Sequence, residues 1–233
     1  RLPDSRSLRQ QRPLRGPFLH GATMRPKSFD FDPANADLLG FLSNATGATW
    51  TLTATSSGDA LAHQVSIRND TANDHSAKTA ILTGTDSDGR AQTETINLPA
   101  GSATVESTKY FLTLTTVVPS ATIGADTMDI GWVDEFSSKT IPLDHYSQNA
   151  ATIQVTVTGT IGFDVETTLK DPFSSTITDQ STLEWLNDAN FTAKTASLAN
   201  NLAISGARAM RFVVNSYTDT AELQAYLTQS GPR

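Results

Sequence analysis

Residues 152–167 read TIQVTVTGTIGFDVET, with Ile153, Val155, Val157, Ile161, Phe163 and Val165 all at odd positions and Thr, Gln, Asp and Glu between them. Side chains alternate across a strand, so this run buries one face and wets the other. The same alternation recurs along most of the chain, broken roughly every ten residues by Gly, Asp or Asn. Short strands at that spacing predict an all-β fold, organised as two tandem antiparallel β-sandwiches of jelly-roll or Ig-like type behind an extended N-terminal arm.

Working outward, strands are expected at 50–54, 62–68, 79–85, 91–98, 104–105, 110–118 and 128–133, and then at 152–158, 161–169, somewhere within 192–202, 209–215 and 221–228. Residues 137–151 lack periodicity and contain Pro142. The expected division is therefore an arm at 1–27, one unit at 28–135 and a second at 136–233. Short helical turns are expected at 37–41 and 181–187, the latter capped by Ser181 with Glu184 three residues on.

Two hairpins are predicted by turn chemistry and parity. Asp86-Ser87-Asp88-Gly89 separates two strand-like runs, and an Asp-Gly pair tolerates the positive φ of a tight turn. The same four residues begin like a calcium-binding loop, but Ala91, Thr93 and Thr95 do not supply the remaining ligands. Near the end, Met210, Phe212 and Val214 match Ala225, Leu223 and Ala221 across residues 216–219, which predicts a terminal hairpin with one buried face. The same parity test fails for a two-residue turn at Gly159-Thr160, leaving either an odd-length loop or one long bent strand.

The chain has 233 residues, enough for a core without covalent staples, and no cysteine, which excludes disulfides and thiolate chemistry. No apolar run approaches the ~20 residues of a membrane-spanning helix, so no membrane partner is expected. Charge is unevenly spread. Arg1, Arg6, Arg9, Arg12, Arg15, Arg25 and Lys27 stand against Asp4 alone within residues 1–27, and the rest of the chain carries a net charge of −13. A basic arm on an acidic body is expected to grip an acidic surface, either a neighbouring subunit or a polyanion; the alternatives are a leader segment and a solvated tail. Met24 is a candidate internal start, since residues 1–23 differ in composition from the body of the chain.

Catalytic signatures are sparse. His20, His63, His75 and His145 are scattered without metal-ligand spacing and read as surface or loop residues. No nucleophile motif occurs. Asp126 with Asp129, and Asp164 with Glu166, are acid pairs of the kind glycoside hydrolysis uses, yet the second lies on the polar face of an alternating strand, where solvation is the ordinary explanation. Trp50, Trp132 and Trp185 are too dispersed to imply a stacking platform. Arg208 and Arg211, three apart on a strand, point to opposite faces. No enzyme, cofactor or metal site is expected, and no specific nucleic acid. Abundant Thr suits strand faces that are neither dry nor freely wet, as at subunit contacts, and edges with few lysines invite lateral pairing.

The run ILTGTDSDGRAQTETINLPAGSATVESTKYFLTLTTVVPSATIGADTMDIGW, residues 81–132, resembles a β-domain of structural proteins of tailed bacteriophages. The likeness rests on the Asp-Gly hairpin, Thr93-Glu94-Thr95, the Gly101-Ser102 loop and Lys109-Tyr110-Phe111. Residues 151–172, the segment around Trp185, and ARAMRFVVNSYTDTAELQAYLTQSG at 207–231 are similar to small virion proteins of the same phages. The resemblance covers nearly all of 30–231 and implies a virion component. The resemblance does not fix the station; the expected role is a capsid decoration protein that cements neighbouring capsomers, bound to the major capsid protein or other virion proteins, and the lysine-poor strand edges add an expectation of self-association, as a trimer. A neck, tail or fibre protein with host-glycan binding is the alternative.

Overall fold

A computed structural model describes residues 26–145, 149–177 and 182–229. They form fifteen strands and no α-helix. In chain order these are β1 (Lys27–Phe31), β2 (Asp37–Ala45), β3 (Ala62–Asn69), β4 (Thr79–Thr85), β5 (Ala91–Asn97), β6 (Thr104–Phe111), β7 (Thr113–Pro119), β8 (Met128–Ser137), β9 (Ile141–Pro142), β10 (Thr152–Thr158), β11 (Ile161–Thr168), β12 (Leu186–Asn187), β13 (Leu198–Asn201), β14 (Ala209–Tyr217) and β15 (Glu222–Thr228). All strand pairings are antiparallel. The sheets have four strands (β1-β15-β10-β13), eight (β12-β11-β14-β8-β3-β6, with β2 and β9 attached) and three (β5-β4-β7).

Two apolar clusters hold these sheets together. The first joins the three-stranded sheet to the β8-β3-β6 end of the eight-stranded sheet, through Leu82, Leu114, Ile67, Ile130 and Trp132 among others. The second joins the four-stranded sheet to the β11-β14 end, through Ile153, Leu223, Phe163 and Phe212. Each large apolar side chain fully buried here contributes about 1.5–3 kcal/mol before entropy. Along β8 the side chains change cluster between Trp132 and Phe136. Lys27–Phe31, at the end of the expected arm and the start of the expected first unit, pairs with β15 and places Phe31 in the second cluster.

Several local expectations are corrected. Residues 37–41 are strand, because Asp37, Leu42 and Ala45 pair irregularly with β8. The close approach is possible because Gly131 lacks a side chain: a Cβ there would meet the Asp37 carbonyl oxygen at 1.8 Å. Trp50 makes only an isolated bridge to Val117 in place of a strand. At 181–187, Ser181 lies outside the described residues, and Leu186–Asn187 pairs with β11 as a short strand.

The terminal hairpin does not form. β14 and β15 belong to different sheets, so Met210, Phe212 and Val214 meet Leu223 and Ala225 within the apolar cluster, with no ladder between the two strands. Parity assigns a face, and it cannot distinguish a neighbour in the sheet from one across the core. The same holds at 158–161, where the chain passes from β10 to β11 and changes sheet at Gly159, whose φ is +73°. A bulge between Gly162 and Phe163 keeps Ile161, Phe163 and Val165 in the core.

Candidate functional site

The Asp86–Gly89 turn closes β4 onto β5, pairing Thr85 with Ala91 as expected. One carboxylate oxygen of Asp86 accepts hydrogen bonds from the backbone N–H groups of Asp88 and Arg90, both at 2.9 Å. Gly89 takes φ +80° and donates to the Asp86 carbonyl at 3.0 Å. Burial pushes the Asp86 carboxyl above its ordinary value despite these bonds. Asp86→Ala is therefore expected to cost about 1–3 kcal/mol in denaturant unfolding, and Asp86→Asn, which keeps an acceptor and removes the buried charge, distinctly less.

The hairpin tip does more than turn the chain. Asp88 accepts from the Thr140 N–H at 2.9 Å and from its hydroxyl at 2.6 Å, and the Arg90 guanidinium donates to the Pro172 carbonyl. The tip is thereby docked against residues near β9 and β11. Where it docks, a cleft of about 270 Å³ opens, lined by Asp86, Gln92, Tyr110, Glu166, Trp185 and Arg211, with Thr108, Lys109 and Leu183 around them.

Glu166 and Arg211 are direct partners across the β11–β14 ladder, with Nε donating to Oε2 at 2.6 Å. The Arg211 guanidinium lies 4.5 Å from the centroid of the Trp185 ring. Gln92 donates from its amide to the Tyr110 carbonyl at 2.5 Å. Burial, together with the charges of Glu135, Glu166 and Asp164 and against that of Arg211, pushes the Tyr110 hydroxyl up to about 12. It stays protonated at neutral pH, and among the described residues nothing hydrogen-bonds to it.

The arm residues Arg1, Arg6, Arg9, Arg12, Arg15 and Arg25 lie outside the described residues, whereas Lys27 opens β1 opposite Leu227. Three of the four acids in the expected pairs are held by internal hydrogen bonds, and Glu166 pairs with Arg211. Asp126 accepts from Asn73 and His75, Asp129 from Arg68 and the Asn44 N–H, and Asp164 from the Ala193 N–H and Asn215. Asp164 is buried, so the solvated reading of that strand face fails for it. His63 and His75 are also buried, beside Asp59 at 2.7 Å and Asp126 at 2.8 Å, so the surface-or-loop reading fails for His63, which lies in β3, and holds for His75 only in that it sits in the β3–β4 loop. Trp50 and Trp132 sit in the first apolar cluster, and Trp185 alone of the three reaches the cleft. Sequence reasoning missed the grouping of Glu166, Arg211 and Tyr110. The available signal was opposite charge on the polar faces of two alternating strands, which becomes a pair only once their register is known.

No family model and no curated protein matches this sequence. Among solved structures, the major capsid protein P2 from Bacteriophage PM2 aligns with 89% of this chain and 98% of its own, at 9% identity and a TM-score of 0.18. That score is too low to establish a shared fold.

Proposed function

We propose that this chain is a structural component of a bacteriophage virion, a capsid decoration protein that binds the major capsid protein and stabilises neighbouring capsomers. The observation that carries the reading is the outer face of the three-stranded sheet. Its outward positions include Ile81, Thr83, Thr85, Thr93, Thr95 and Val118, and no strand residue on that face carries a charge. Ile81 and Val118 are direct cross-strand neighbours, 47% and 52% exposed. In an acidic protein this is a surface that can be covered without stripping water from ions. These strands fall almost wholly within residues 81–132, the run that resembles phage structural domains, which supports the same reading.

Introducing charge there tests it. The pair Ile81→Lys and Val118→Lys leaves the core untouched and is expected to lower incorporation into particles at least about tenfold, because lysines would be desolvated on contact. Quantitative mass spectrometry of purified virions reads this directly. Wild-type incorporation by the double variant would remove the face from the interface. A wild-type copy number of a dozen or fewer per particle, in place of hundreds, would exclude shell decoration.

A further inference from the structure

We infer that the cleft under the Asp86–Gly89 hairpin is a binding site for a neutral pyranose residue, held by Arg211, Glu166 and Tyr110. This inference is independent of the particle assignment, since it concerns a different surface from the three-stranded sheet.

The lining carries as many positive as negative side chains. Asp86 and Glu166 are matched in number by Lys109 and Arg211, while Glu135 and Asp164 add negative potential at Tyr110, which disfavours an anion. What the lining offers is directional hydrogen bonding beside ring carbon. Arg211 spends Nε on Glu166 Oε2, and that is the one hydrogen bond the two side chains share. Its two terminal amino groups remain as donors, next to Glu166 Oε1 as an acceptor.

A donor and an acceptor side by side match a vicinal diol, in which one hydroxyl accepts while its neighbour donates. The Tyr110 hydroxyl, neutral and unpartnered among the described residues, supplies a third contact able to donate or accept. Leu183 and the rings of Tyr110 and Trp185 give the apolar wall that the C–H groups of a sugar require. The volume of about 270 Å³ lies just below the usual range of small-molecule pockets, about 300–1,000 Å³, and suits a single ring.

The Glu166–Arg211 pair is also built to hold its geometry. Both side chains are about four-fifths buried, the guanidinium is fixed through Nε, and its plane rests near the indole. Such preorganisation reduces the ordering cost of binding, which matters for a ligand with few apolar atoms.

The test is saturation-transfer NMR on the full chain with the methyl glycosides of glucose, galactose, mannose and N-acetylglucosamine, with glucuronate and inorganic phosphate as charged comparators. At least one neutral glycoside is expected to bind with a Kd on the order of 1 mM. Glu166→Gln should weaken it about tenfold or more, the loss expected for one charge-assisted hydrogen bond, and Tyr110→Phe by about threefold to tenfold. Tyr110→Phe removes a hydroxyl without an internal partner, so its melting temperature should match wild type and any loss of binding reports on the cleft. The inference is overturned if no neutral glycoside binds at up to roughly 50 mM, far above a millimolar Kd. It is equally overturned if glucuronate or phosphate binds in preference, or if binding is unchanged in both variants.

Discussion

Asp59→Ala is expected to destabilise the protein by about 3–5 kcal/mol, because four hydrogen-bond donors lose their acceptor at once and a buried group left unpaired costs about 1–3 kcal/mol. Asp59 receives four hydrogen bonds: from the Ala34 N–H at 2.8 Å, the Ser57 hydroxyl at 2.6 Å, the Leu61 N–H at 3.0 Å and His63 Nε2 at 2.7 Å. The other ring nitrogen of His63 lies 3.3 Å from the Val133 carbonyl. The carboxylate therefore anchors residues 32–36, the crossing from β1 in one sheet to β2 in another. That crossing is also held by Tyr217, which donates to the Ala34 carbonyl at 2.5 Å, by the Trp132 indole donating to the Asn35 carbonyl at 2.9 Å, and by Asp134, which accepts from the Ala36 N–H at 2.8 Å.

The same site makes stability depend on acid. Burial alone would raise the Asp59 pKa, but the hydrogen bonds from His63, Ser57 and Ala34 outweigh it and hold the carboxyl well below its ordinary 3.8. A depressed carboxyl stabilises the fold fully above that ordinary value and loses the contribution as pH falls below it. Asp126, held down by Asn73 and His75, acts in the same direction. Urea midpoints measured from pH 7 downward should fall for wild type below about pH 4. Asp59→Asn should start lower at pH 7 and fall less steeply. Parallel curves for the two proteins would show that Asp59 is not depressed.

Phe136→Ala is expected to cost about 3–5 kcal/mol through the cavity it leaves. Phe136 is fully buried, and its ring lies about 6 Å from those of Phe31, His63 and Tyr217. Its strand position pairs with Val214 on one side and His63 on the other. A void there loosens the contact between the two ends of the eight-stranded sheet, so hydrogen exchange should quicken in both β3 and β14. Phe136→Leu refills most of the volume and should recover more than half of the loss. If exchange quickened in β14 alone, Phe136 would belong energetically to the second cluster only.

Much of the local pattern was legible. Asp86-Ser87-Asp88-Gly89 declared its hairpin because the positive φ of Gly89 and the Asp86 side-chain acceptor are properties of four adjacent residues. Ile153, Val155, Ile161, Phe163 and Val165, and Met210, Phe212 and Val214, are indeed in the core, with Val157 half-buried at the rim. Other features were hidden. Asp37–Ala45 reads poorly as a strand because its pairing with β8 is broken by irregularities and depends on a glycine at 131. The burial of His63 is invisible without Asp59 folded over it.

What the sequence determined, then, is the inward and outward sense of each strand and the chemistry of its tight turns. Both arise from alternation and backbone preference over a few residues. Only the tertiary structure decided which strands share a ladder: that β1 joins β15, that β14 and β15 face each other across a core, and that β8 serves both clusters. Those choices depend on contacts between residues far apart in the chain. The cleft inherits this dependence, since Glu166 meets Arg211 through strand register and Asp86 reaches them through a docked hairpin.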